Sequence, residues 1–215
     1  MYTKASIFNL ALGALLLSRQ VTDPATDIGN EVRVLNNHWD VAFKSAVSDM
    51  DLDSMMQPFT LALIEEDPTE TPEWKYVYAY PANSVFLRRI RPVACSYAQG
   101  PSVDTRDSII RLATGVYTGQ KAIFTNEEDA VAECIFSNLS LSTLEANAGL
   151  AIAYRLAWLS SALIVGKGAM QLRQQIMQMY AVAKSDAQRM DGLENRSRRF
   201  EADNIQSEFV AARIE

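Results

Sequence analysis

Few side chains in this chain have the types and spacing to do chemistry. His38 is the sole histidine, so every imidazole role, the usual zinc ligand sets included, would fall on one residue. Beside Trp39 in a predicted helix it reads as a half-buried polar neighbour of an aromatic. Cys95 and Cys134 form no Cys-x-x-Cys pair and read as reduced, buried thiols of a cytosolic protein. Gly166-Lys167-Gly168 has part of a phosphate loop, but Gly168 stands where Ser or Thr must follow the lysine. Asp49-x-Asp51-x-Asp53 opens like a calcium loop, yet Ser54 and Thr60 hold the places of the required glycine and glutamate. Glu65 and Glu66 are sequence neighbours, which gives no opposed acid and base. There is no Gly-x-Ser-x-Gly elbow, and the sequons at Asn138 and Asn195 are chance matches in a cytosolic chain. The reading is therefore not an enzyme: no catalytic residue, no metal and no cofactor.

Composition bounds what must position these residues. With 215 residues and 48% hydrophobic side chains, the chain closes one core without disulfides or a structural metal. Lys+Arg 20 against Asp+Glu 26 gives a net charge of −6 and a pI near 4.9, which argues against a surface built to neutralise nucleic-acid phosphates. Residues 7–17 have the outline of a signal peptide but lack a cleavage site, and Asn9 interrupts the apolar run. Ile7, Leu10, Ala11, Ala14 and Leu17 share one face of a helix over about 5–18. The run is too short to span a membrane.

A second helix is expected from near Asp27, with Asp27 as its cap and Val32, Leu35, Trp39, Ala42, Phe43 and Ala46 on its packed face. Residues 49–73 hold eight acids and no base, with Pro58, Pro68 and Pro72; this reads as an acidic loop. From Trp74 the composition turns aromatic and β-branched. Runs at 74–81, 85–93, 108–113, 115–118 and 121–125 predict short strands, forming a small antiparallel protrusion at about 85–125. Thr125 or Asn126 is expected to cap a helix with Glu127, Glu128 and Asp129 in its first turn and Ala130, Cys134 and Ile135 inward. A long alanine-rich helical stretch follows, divided at Gly166 and Gly168. Beyond Asp191 the chain is charged, yet Phe200, Ile205, Phe209, Val210 and Ile214 recur along it, which reads as a tail that docks on its own core or a partner. The expected architecture is mainly α: a single helical-bundle domain over 1–190 with the β insert, and a docking tail over 191–215.

Several runs, in order, resemble the adaptor proteins of short-tailed bacteriophages, the tail tubular protein A or head-to-tail connector family. Asn9 to Leu15 is similar to the family's first helix, and Leu35-Asn36-Asn37-His38-Trp39-Asp40-Val41-Ala42-Phe43-Lys44 to its second. Trp74-Lys75-Tyr76-Val77-Tyr78-Ala79-Tyr80-Pro81-Ala82-Asn83 is the most specific piece, with Asn83 where the family usually has an acid. Phe124-Thr125-Asn126 closes the β element, Ala151, Leu156, Ala157 and Ala162 lie in a long helix, and Tyr180, Ala183 and Ala187 lead to the tail.

The resemblance implies a helical bundle with a β protrusion and an extended carboxyl tail, assembled as a homo-oligomeric ring of twelve subunits. Such a ring lies in the virion tail, after assembly in the host cytoplasm, between the portal protein and the tail nozzle protein. DNA passes through it without specific binding, and no membrane is involved. In that frame the portal-docking tail is carried by Phe200, Ile205, Phe209, Val210 and Ile214. Asp49, Asp51, Asp53, Glu65, Glu66 and Asp67 are candidate luminal acids, because like charge keeps DNA from adhering. Arg88, Arg89 and Arg91 are candidates for contact with the nozzle or a neighbouring subunit. A secreted or periplasmic helical binding protein, and a small regulatory or catalytic α+β domain, are the alternatives.

Overall fold

The run Ala130-Val131-Ala132-Glu133-Cys134-Ile135-Phe136 decides the fold class, because it is a strand where a helix is expected. The computed structural model is mixed α/β, 49% helix and 22% strand, with four helices and two antiparallel sheets among the described residues. This corrects the expectation of a mainly helical bundle with a small β protrusion. The structure describes the backbone of residues 1–92 and 110–211, and the side chains within them except those of 92, 167 and 195–211. The chain divides into two compact units: Met1–Met55 with the segment from Asn138 onward, and Met56–Ser137.

The helical unit begins with α1 (Lys4–Ala14), opened by a capping box in which Thr3 and Ser6 each accept from the other's backbone N–H. It ends earlier than its apolar spacing suggests, since Leu16 turns left-handed with φ 62°. Ile7, Phe8, Ala11 and Leu12 are buried. Asn9, which breaks the apolar run, serves the structure through its polar side chain. Its amide donates to the Val21 carbonyl and its oxygen accepts from the Val21 N–H at 2.7 Å. The returning chain is thereby held against α1.

Helix α2 (Asn30–Met50) starts at Gly29 rather than at Asp27. Asp27 instead accepts from the Gly29 N–H and from Arg19, which also bonds Glu31. The packed face is the expected one, and Trp39 stacks on Phe43 and meets Phe8 at a tilt, with centroids 5.7 and 5.8 Å away. Helix α3 (Ala146–Ile164) is buried on several sides, its small residues Ala148, Gly149, Ala151, Ala153 and Ala157 letting neighbours come close. At Gly149 an added Cβ would stand 2.2 Å from the Tyr2 ring, whose hydroxyl donates to the Ala146 carbonyl. A tight Gly166–Gly168 turn, with Gly166 at φ 77°, divides α3 from α4 (Ala169–Ala211) as expected. Helix α4 has 43 residues, about 65 Å at 1.5 Å per residue. It therefore continues through the segment expected to be an extended tail.

Among its described residues the sheet unit holds seven strands: β1 (Gln57–Thr60), β2 (Leu63–Glu66), β3 (Tyr76–Ala79), β4 (Ser84–Pro92), β5 (Leu112–Tyr117), β6 (Gln120–Thr125) and β7 (Ala130–Phe136). Strand pairing thus runs from 57 to 136, wider than the expected 85–125. One sheet has the order β1-β7-β4 and the other β2-β3-β6-β5, all antiparallel. Strand β7 is paired on both edges and buried along nearly its whole length. Such a strand carries a continuous apolar run instead of an alternating one, which is why it resembles a helix in sequence. Glu127 to Asp129 form a turn, not a helix start, and Asp129 is left-handed at φ 50°.

The aromatic run from Trp74 alternates as a strand must. Tyr76 and Tyr78 join Leu61, Ile90, Ile123, Ala132, Cys134 and Phe136 in one core, while Val77 joins Tyr117, Ala122 and Phe124 on the opposite face. A two-residue loop, Thr118 (φ 47°) and Gly119 (φ 79°), closes β5 onto β6. Positive φ at both positions matches the sheet's twist and requires a residue such as Gly119.

Candidate interaction surfaces

In the sheet unit the charge chemistry centres on a residue that sequence reading passed over. Glu133 lies on central strand β7 with its side chain 4% exposed, and it takes ion pairs from both Arg89 and Arg91 of β4. Arg89 stands opposite Glu133 in the ladder, and Arg91, two residues on, projects to the same side. The buried carboxylate therefore fixes both guanidiniums along one edge strand. Arg89 remains 55% exposed and Arg91 29%, so the predicted contact residues are pinned while part of each cation still faces outward. Arg88, adjacent in β4, also has a polar or ring partner. The clue in the sequence was Glu133 itself, an acid inside an apolar strand, which demands a buried counter-charge.

The six candidate luminal acids do not form one loop. Asp49 lies in the last turn of α2 and accepts from the Tyr180 hydroxyl at 2.9 Å. The phenol of Tyr180 is pushed well above its usual range by burial first and by this bond second. Asp51 is the left-handed cap of α2, and Asp53 opens a short 3₁₀ turn, Asp53–Met55. The other three belong to the sheet unit. Glu65 accepts from the Tyr117 hydroxyl at 2.6 Å, which pushes that phenol up to about 12. Glu66 ends β2 and Asp67 follows it at φ 50°, both exposed.

Asp191 was also missed, because it belongs to the segment expected to be a tail. It is 8% exposed on α4 and accepts from the N–H groups of Asp53 at 2.8 Å and Ser54 at 3.0 Å. Its carboxylate caps the turn after α2, and nearby Gln188 donates to the Met50 carbonyl. Together these bonds tie the far part of α4 to the end of α2. Glu145, at the start of α3, has its carboxyl pushed up by burial, and then by the like charges of Glu194 and Asp191. Its Oε2 is buried without a hydrogen-bond partner.

The remaining predicted residues sit as follows. Phe200, Ile205, Phe209 and Val210 lie on the backbone of α4, whereas Ile214 and Cys95 fall outside the described residues. Cys134 is a free, buried thiol in the sheet core, its pKa raised by that burial. His38 is half-buried on α2. Among the described residues no cluster of His, Cys, Asp and Glu could hold a metal ion, and no helix is long and apolar enough to cross a membrane. No family model matches the chain, and no curated protein matches it.

Proposed function

We propose that this chain is a structural virion protein: a ring-forming adaptor that joins the portal to the tail nozzle of a short-tailed phage and forms part of the DNA ejection channel. One observation carries the reading. The sequence runs that resemble the adaptor family each coincide with an element in the same order: Asn9 to Leu15 with α1 and its cap, Leu35 to Lys44 with the packed face of α2, and Trp74 to Asn83 with β3 and the turn into β4. At Asn83, where the family usually has an acid, φ is 62°, a conformation that Asn adopts more readily than most residues.

In this reading α4, with Phe200, Ile205, Phe209 and Val210, reaches the portal. The arginine-bearing strand β4 meets the nozzle or a neighbouring subunit. A net charge of −6 suits a conduit to which DNA must not adhere. The chain acts in the virion tail and is assembled in the host cytoplasm, without catalysis or a cofactor. Electron microscopy of the purified chain mixed with the portal protein encoded by the same genome tests this. A ring of twelve subunits at the portal base is expected, and portals left bare at saturating concentrations would overturn it.

A further inference from the structure

Two arginines meet on one tryptophan in the helical unit. Arg155 and Trp158 lie one turn apart on α3, and Arg173 comes to the same indole from α4. Their guanidinium carbons are 5.2 and 5.0 Å from the ring centroid. Arg155 is further held by Nε donation to Ser45 Oγ at 3.1 Å and by the Tyr180 ring. Among the described residues neither guanidinium has a carboxylate in ion-pair range. Nε of Arg173 is buried with no hydrogen-bond partner. Two cations on one indole repel each other, and a buried donor without an acceptor is costly. Met170 and Met177, three residues before and four after Arg173, share its helical face and are 76% and 37% exposed. The surface thus offers cations in an apolar rim.

The sheet unit carries the opposite surface. Strand β2 is an edge of the four-stranded sheet, with Leu63 and Ile64 52% and 38% exposed. Exposed Glu66 and Asp67 follow, and neither has a base in ion-pair range among the described residues. Edge strands with apolar side chains are usually covered or guarded. Here apolar and acidic residues stand in the combination that the helical surface lacks.

We propose that these are the two halves of one contact between copies of this chain: Arg155, Trp158 and Arg173, with Met170 and Met177, receive Leu63, Ile64, Glu66 and Asp67 of the next copy. Repeated head-to-tail from copy to copy, such a contact closes a ring or runs on as a filament; made twice by one pair of copies about a two-fold axis it stops at a dimer, which sedimentation distinguishes. This deepens the ring reading by naming what joins its subunits. A DNA backbone would answer the two cations but leave the methionine rim unused, so a protein strand fits better.

Two variants test the contact. One carries Met170→Glu and Arg173→Glu, the other Glu66→Arg and Asp67→Arg. Self-association is followed by sedimentation velocity and, on the portal, by counting subunits in electron micrographs. Each variant alone is expected to associate at least tenfold more weakly than the parent chain, and an equimolar mixture to recover, since each retains the half the other lacks. Met170→Glu alone, at an exposed position, gives the same reading if the Arg173 variant does not fold. Variants that assemble like the parent, or a mixture that stays dissociated, would overturn the contact, as would Arg173-dependent binding of a duplex oligonucleotide without self-association. Portal rings built from the first variant alone would refute the contact and keep the adaptor. Recovery on mixing without any ring on the portal would refute the adaptor and keep the contact.

Discussion

Glu133 shows how a single carboxylate can organise a surface. Its charge is tolerable inside the sheet because Arg89 and Arg91 close on it, and removing it leaves two cations facing one another over a desolvated site. Glu133→Gln is therefore expected to lower stability by about 2 kcal/mol, less than a fully buried pair because both arginines are partly exposed. Urea denaturation monitored by tyrosine and tryptophan fluorescence would show the midpoint fall with little change in slope. A midpoint equal to the parent's would mean that the pairs contribute nothing. Glu145 is the converse case, an acid whose environment opposes its charge through burial, Glu194 and Asp191. Its folded pKa lies above its unfolded one, so the ionised carboxylate burdens the folded state above the folded pKa, and the burden vanishes as pH falls through the unfolded value, about 4.3. Glu145→Gln should raise stability at pH 7 by less than about 1 kcal/mol, given solvent screening, with the gap closing near pH 4. A gap independent of pH would contradict this account.

At the scale of elements, the last described inward-facing side chain of α4 is Asp191, which caps the Asp53–Met55 turn. Truncation after Asn195 keeps that cap and every buried α4 residue from Ala169 to Asp191. The shortened chain is expected to melt within about 2 °C of the full one, because a loss below 0.5 kcal/mol moves the midpoint little. It should nevertheless fail to co-sediment with the portal, and full retention of binding would move the docking site elsewhere. Helices α1, α2 and α3 could be read from apolar spacing, and the Gly166–Gly168 break from composition, since one packed face imposes its period on the residues. Strand β7 could not, because it is buried on both faces along nearly its whole length, which erases the alternation. Strands β1 and β2 are exposed along almost all of their length, so no periodic apolar signal marks them. Asp191 and the Arg155, Trp158 and Arg173 cluster were hidden for another reason: their partners are distant in sequence and meet only through the packing of α2, α3 and α4.

At the scale of the molecule, an excess of acid and a local excess of base have different consequences. The net charge of −6 makes copies of the chain repel at long range, yet the two arginines on Trp158 and the acids that end β2 attract at short range. Assembly through them depends on which distance the solvent screens. The repulsion acts over many ångströms and is damped first, within a Debye length of about 10 Å at 0.1 M salt. The short contact is weakened further on, each exposed ion pair contributing at most about 1 kcal/mol, so loss of two pairs costs at most about thirtyfold in affinity. Met170, Met177, Leu63 and Ile64 add a component that salt does not weaken. Self-association measured by sedimentation from 0.02 to 1 M salt, concentrations on the order of those bounding the Debye range, should therefore pass through a maximum before falling. The Glu66→Arg and Asp67→Arg chain, mixed with the Met170→Glu and Arg173→Glu chain, should follow the same curve, because reversed pairs attract as the original ones do. Association that rises steadily with salt would mean that the apolar rim holds the copies together without the arginines.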